Sequence, residues 1–320
     1  MNAGESGEAR EFLLIGGIRV GHWTDEVGGT GCTVLVCDPP ACGGVDIRGS
    51  APGTRETALL TPTGSVQTVN AIVLTGGSAL GLAAASGVAT ALHAAGKGYP
   101  TSQGPIPIVP AAVIYDLGLG GVEWPDERAG RAALAAASDD GFAVGNVGAG
   151  IGATAGAGPA GTKTGLGLAT LVESNLRVGA LVVANPLGSI VAADGRVLAG
   201  QRDGGGLVHP EDVLRLLAER QATENTVIGC VVTNARLAKT AATKVAQMAH
   251  DGIARAVQPA HTTRDGDTLF AVSVGEAALS ADLDLVGDLA SRAVSAAIRN
   301  AALNAETAYG IPSARDLATR

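Results

Sequence analysis

The sequence predicts a layered domain that mixes strands with helices, α/β or α+β in class. Three observations carry this. Short apolar runs such as residues 226–233 (TVIGCVVT) are rich in β-branched residues and dense enough to be covered on both faces. The last third of the chain alternates strand, helix, strand, helix. Glycine supplies 47 of 320 residues without a collagen period, and mean hydropathy is +0.28. That combination marks a packed chain rich in tight turns.

Residues 1–10 have the composition of a loose tail. Residues 18–20 and 31–37 (the latter ending in TVLVC) are strand-like, and Pro39-Pro40 is expected to stop the second. Residues 48–56 (RGSAPGTRE) form a loop. Residues 71–75 (AIVLT) form a buried strand that turns at Gly76-Gly77, and Ser78 is placed to cap a helix running to about Ala95. A further apolar stretch, 106–114, ends at Tyr115-Asp116, and 127–138 is helical in composition. Residues 142–163 form a glycine- and alanine-rich loop region. Residues 181–184 form a strand ending at Asn185-Pro186, and 189–193 reads as its hairpin partner, followed by a turn at Asp194-Gly195. After a turn-rich connector over 204–210 comes an amphipathic helix over 210–222, stopping at Glu224-Asn225. Strands over 226–233 and 267–274 then alternate with helices over 237–249 and 281–304.

Composition excludes several functions. A net charge of −8 without a basic run, and only two Trp, three Tyr and three Phe, disfavour a nucleic-acid partner. No apolar run is long enough to span a membrane, and the first residues carry no secretory pattern, so a cytoplasmic protein is expected. The histidines have no paired metal-ligand spacing, and Cys32, Cys37 and Cys42 do not form a zinc knuckle. Gly148–Gly152 followed by Ala153 fits the loose dinucleotide pattern. No amphipathic helix comes after it, and no acidic residue is expected at the end of a strand about 20 positions on. Gly156–Thr164 misses the phosphate-loop spacing by one residue. Gly76-Gly77-Ser78-Ala79-Leu80 lacks the closing glycine of a nucleophile elbow. No cofactor is expected.

The junction Asn225-Thr226 is the informative place. A turn-prone residue precedes a threonine that opens a buried strand. Threonine there is ordinary in itself. Chemically, it is also where a chain can cut itself, because the hydroxyl can attack the preceding carbonyl. The freed α-amine then serves as the hydroxyl's own base. Cys230, mid-strand, is the rival nucleophile and reads as inert core. Asp265-Gly266-Asp267 places two carboxylates before a strand that can lie beside Thr226. They orient the hydroxyl, hold a cationic amine, or simply make a turn. Asn185, held extended by Pro186, can donate its amide to an oxyanion. Tyr115 can supply a second donor, and Ser78 can line the pocket.

The segments IRVGHWTD, RGSAPGTRET, LTGGSALGL, AAVIYD, GAGIGA with GTKTG, VVANPLG, ENTVIGCVVTNARL and HTTRDGDTLFAVS resemble the L-aminopeptidase/D-amidase-esterase family. Within it, the chain is most similar to the 6-aminohexanoate-oligomer hydrolase subgroup. The resemblance implies a single α+β domain, a four-layer αββα sandwich like that of ornithine acetyltransferase and N-terminal-nucleophile hydrolases. It implies autocleavage into 1–225 and 226–320, with Thr226 as nucleophile and Asn185 as oxyanion donor. Asp265 and Asp267 match the acidic pair, Lys163 a catalytic-site lysine, and Tyr115 the tyrosine near the oxyanion. The aminopeptidase branch typically uses Ser with a Ser/Glu pair, so Thr226 with Asp265 and Asp267 points to the threonine-type subgroup. The implied substrate is a small-molecule, peptide or oligoamide chain, and the implied assembly a homotetramer. An acyl transferase or an unprocessed pseudoenzyme on the same fold is the alternative.

Overall fold

The computed structural model describes residues 5–204, 206–218, 225–274 and 279–319. Its centre is a nine-stranded sheet. The order runs Thr54–Arg55, Ala111–Val113, Thr68–Thr75, Thr30–Ile47, Thr268–Ser273, Thr226–Thr233, Leu176–Asn185 and Leu166–Glu173, with Ile18–Asp25 also paired to Thr30–Ile47. Two pairs are parallel: Thr68–Thr75 with Ala111–Val113, and Thr226–Thr233 with Thr268–Ser273.

The expected stop at Pro39-Pro40 is overturned. The strand continues from Thr30 to Ile47, and its register against Thr68–Thr75 shifts between Val36 and Ala41. The prolines are exposed in that irregularity, where no ladder N–H is needed. A bulge bends a strand, so residues before it pair with Ile18–Asp25 and those after it with Thr268–Ser273. The sheet thereby folds over itself.

The folded sheet makes the four αββα layers. The middle core lies between its halves and contains Leu35, Ile72, Leu181, Ile228 and Phe270. One outer core packs helices Lys239–Ala256 and Leu283–Leu303 on one half. The other packs Ala83–Ala94 and Glu127–Ala135 on the opposite half. Small residues allow close layers: a Cβ on Gly252 would sit 2.2 Å from the Ser291 carbonyl, where the two long helices cross. This accounts for much of the unusual glycine and alanine content.

Other expectations need correction. The tail is helical over Glu5–Leu13, because Ala9 and Phe12 are buried and Phe12 meets Phe142 edge-on. Residues 1–4 lie outside the described residues, as do Gly205, residues 219–222 of the expected helix, and Glu224. Ser189–Val191 does not pair with Leu176–Asn185. It pairs with Val197–Ala199 across the Asp194-Gly195 turn and with Val257–Gln258. Pro186 has no N–H to continue the first ladder, and the chain leaves it to bury Leu187 against Ala157 and Val213. Among the described residues no helix is long and apolar enough to cross a membrane.

Candidate active site

Sheet register brings the junction and its neighbours together. Thr226 faces Asn185 across the antiparallel pair, and Asn225 bridges to Asp265 on the parallel side. Thr226 is buried, and its Oγ1 donates to the carbonyl of Asn225. The same carbonyl accepts the Gly266 N–H at 3.0 Å. A hydroxyl and a backbone N–H thus meet on one carbonyl oxygen, the pattern an oxyanion site requires. Gly266 is needed for this approach, because a Cβ there would sit 2.6 Å from the Ala51 carbonyl and 3.0 Å from Thr226 Oγ1. Gly266→Ala should therefore displace the donor. A misplacement of about 1 Å costs on the order of 10²-fold in rate, measurable as slower appearance of two fragments from the variant chain.

The acidic pair is not a plain turn. Asp267 Oδ1 accepts the Val227 N–H at 2.8 Å, one residue past Thr226. Asp265 Oδ1 accepts the Leu187 N–H at 3.2 Å, and its Oδ2 accepts the Thr262 N–H at 2.9 Å and the Thr262 hydroxyl at 2.5 Å. Burial, then the neighbouring Asp267, push the Asp265 carboxyl up. Both side chains fix the backbone around Thr226 and Asn185.

His261 is the residue that sequence reasoning missed. Its Nδ1 lies 2.7 Å from Asp267 Oδ2, which also accepts its backbone N–H at 3.2 Å. Its φ is +54°, and its ring stands 5.0 Å from that of His250. Burial drives His250 down to about 4, so that ring is neutral. A histidine six residues before Asp267 was the available signal. The His261–Asp267 bond holds the carboxylate that holds Val227. A hydrogen bond to a charged group is worth about 1.5–3 kcal/mol, so His261→Ala should slow the site by roughly tenfold or more. His261→Asn keeps a donor and tolerates positive φ, and should retain most of the rate. Initial rates of the two variants separate these outcomes.

The remaining candidates divide. Asn185 is buried; its Oδ1 accepts the Thr154 N–H at 3.0 Å, and its Nδ2 donates to the Tyr115 carbonyl at 3.3 Å. Tyr115 is partly exposed and lines both cavities that flank the junction, of about 330 and 180 Å³. Ser78 lines the smaller one with Thr226, but it is not a helix cap. It has φ +51° in a 3₁₀ turn that comes after Gly77, and the helix proper is Ala83–Ala94. Ser78 N–H instead bonds the Ile114 carbonyl at 2.9 Å.

Lys163 is held by backbone carbonyls. It is fully buried, and Nζ donates to the carbonyls of Gly150 at 3.1 Å, Ala153 at 2.9 Å and Thr164 at 2.5 Å. Burial lowers it to about 7, opposed by Asp116. It ties together the glycine-rich segment that walls the larger cavity. Asp116 on that wall accepts from Gly77 N–H at 2.6 Å and Thr30 Oγ1 at 2.9 Å. Burial raises Asp116 to about 6.

Comparison with known proteins now decides the family. The model of peptidase family S58 matches residues 14–315. The chain belongs to peptidase family S58. It is 41% identical over 338 aligned positions to an uncharacterized aminopeptidase of Mycobacterium tuberculosis, covering 95% of this chain and 96% of that one. It is 37% identical over 270 positions to a 6-aminohexanoate-oligomer endohydrolase of Paenarthrobacter ureafaciens, covering 81% of this chain and 74% of that one. The solved L-aminopeptidase D-Ala-esterase/amidase of Ochrobactrum anthropi, an Ntn-hydrolase fold variant, superposes with TM-score 0.72 at 21% identity, covering 96% and 91% of the two chains. That last likeness is one of fold. As an S58 peptidase with such relatives, the chain is a hydrolase acting on amide bonds.

Proposed function

We propose that this S58 chain is a self-processing amide hydrolase with an N-terminal threonine nucleophile. One observation carries the reading: Thr226 Oγ1 and the Gly266 N–H meet on the carbonyl oxygen of Asn225. Attack by Oγ1 at that carbonyl carbon forms a C–O bond and breaks the C–N bond, and the hydroxyl proton ends on the Thr226 nitrogen. Water then hydrolyses the ester, leaving chains 1–225 and 226–320.

The new α-amine has a reference pKa of about 8 and is the base for the second reaction. Lys163, whose Nζ is engaged with three carbonyls, is the alternative base. Thr226 Oγ1 attacks a substrate amide, an amine leaves, and water cleaves the acyl-threonine. The Gly266 N–H that meets the Asn225 carbonyl serves the substrate oxyanion as well, and Asn185 Nδ2, which has a second hydrogen, and Tyr115 are the further donors assigned to it. The endohydrolase relative supports a linear oligoamide, such as a 6-aminohexanoate oligomer, as the substrate class. A homotetramer, which rests on the resemblance, and a cytoplasmic location, read from the sequence, belong to the same proposal.

The test compares processed and unprocessed fractions of one preparation on a 6-aminohexanoate oligomer. Amine release is expected only from the processed fraction. Equal release from the uncleaved chain contradicts the proposal.

A further inference from the structure

Asn225 occupies the place where an acyl group must sit. During self-cleavage the ester on Thr226 Oγ1 carries the Asn225 acyl group. During substrate hydrolysis the same oxygen carries the substrate's acyl group. If the chain cuts itself as proposed above, the surroundings of Asn225 in the uncleaved chain are a cast of the acyl subsite.

The cast has a definite chemistry. The Asn225 carbonyl takes the Gly266 N–H at 3.0 Å. Its Nδ2 donates to the Gly156 carbonyl at 3.2 Å and the Asn185 carbonyl at 3.3 Å. Its Oδ1 is buried and has no partner among the described residues. The subsite therefore presents acceptors to the side-chain end of the acyl group. Asn225 is also a wall shared by the cavities of about 330 and 180 Å³. When hydrolysis of the ester releases its carboxylate, the two cavities open to each other past Thr226, and the carbonyls of Gly156 and Asn185 lose their donor.

From this we infer that the mature enzyme selects amides whose acyl part carries an N–H donor at the position of Asn225 Nδ2, beside the Gly156 and Asn185 carbonyls. The inference rests on the self-cleavage reading. Asparaginyl amides have that donor, and so do N-acylated 4-aminobutanoyl amides; a 6-aminohexanoyl unit carries its N–H two carbons farther from the carbonyl and brings it to the same acceptors only with its chain folded. An aliphatic chain of the same shape would leave both carbonyls without the donor that Asn225 Nδ2 supplies. A carboxylate there would face two carbonyl oxygens on a cavity that also contains Asp116.

The experiment uses the self-cleaved enzyme and three para-nitroanilides: N-acetyl-asparaginyl, N-acetyl-leucyl and N-acetyl-aspartyl. Leucine matches asparagine in shape and lacks the donor. The asparaginyl compound should exceed the leucyl one in kcat/KM by roughly tenfold or more, the effect of one unpaired polar group, with the aspartyl compound lowest. A leucyl substrate as good as the asparaginyl one overturns the inference. In the full chain, Asn225→Leu should slow self-cleavage by a similar factor, and cleavage at the wild-type rate also overturns it. Failure of the wild-type chain to cleave, with none of the anilides hydrolysed, removes the self-processing reading and this inference with it. Cleavage with no preference for asparagine removes the inference alone.

Discussion

Thr226→Ala is expected to remain a single chain and to hydrolyse no amide. The reason is local. Thr226 Oγ1 alone combines contact with the Asn225 carbonyl and a place at the head of a strand that cleavage turns into an N-terminus. Loss of a nucleophile that works with its base as a unit costs on the order of 10⁶-fold in kcat, which is below detection here. The fold should survive, since the side chain lost is small and the strand keeps its ladders to Leu176–Asn185 and Thr268–Ser273. Thr226→Ser keeps the hydroxyl and should still process. Circular dichroism on the alanine variant checks the fold, and a denaturing gel over days checks the chemistry. Fragments from the alanine variant, cut at the same bond, would assign the nucleophile elsewhere.

The second large effect concerns Lys163. Lys163→Met keeps the length of the stem and removes all three donors from the carbonyls of Gly150, Ala153 and Thr164. Each buried acceptor left unpaired costs about 1–3 kcal/mol, and breaking a buried charged cluster about 3–5 kcal/mol. A loss of about 3–5 kcal/mol is expected, a fall of roughly 5–10 °C in melting temperature. The sign of its pH dependence is set by a folded pKa lowered to about 7. Below pH 7 lysine is charged in both states, and the folded state bears the full cost of burying it. Between pH 7 and the ordinary lysine value of about 10.4, the unfolded chain binds more protons, so this group's contribution to stability rises with pH. The melting-temperature gap between wild type and Lys163→Met should therefore widen as pH is raised above 7. A variant as stable as wild type at every pH would show that the clamp contributes nothing.

Much of this site is legible in the sequence because its chemistry is local. Asn225-Thr226 and Asp265-Gly266-Asp267 are contiguous motifs at the starts of two buried strands, and period and composition locate such strands. The layer order is legible only through the resemblance, since no periodicity says that one sheet folds over itself. The bend depends on Pro39-Pro40, which reads as a stop until the pairing partners on both sides are known. Ser78 misleads because capping preference is a local rule, whereas its turn is fixed from Ile114 and Asp116, distant in sequence. His261 escapes a sequence reading because a lone histidine carries no motif; its partner Asp267 defines it. Resemblance groups Lys163 with the catalytic residues, whereas its three carbonyl partners are legible only in the structure.

The central claim is that this chain becomes active by cutting itself before Thr226. Intact-mass spectrometry of the freshly purified protein under denaturing conditions tests it most directly. The prediction is two chains whose masses correspond to residues 1–225 and 226–320, the smaller beginning at Thr226 with a free amine. Fragments that begin at any other residue, or an enzyme that hydrolyses amides while its mass remains that of the uncut 31.5 kDa chain, would contradict it.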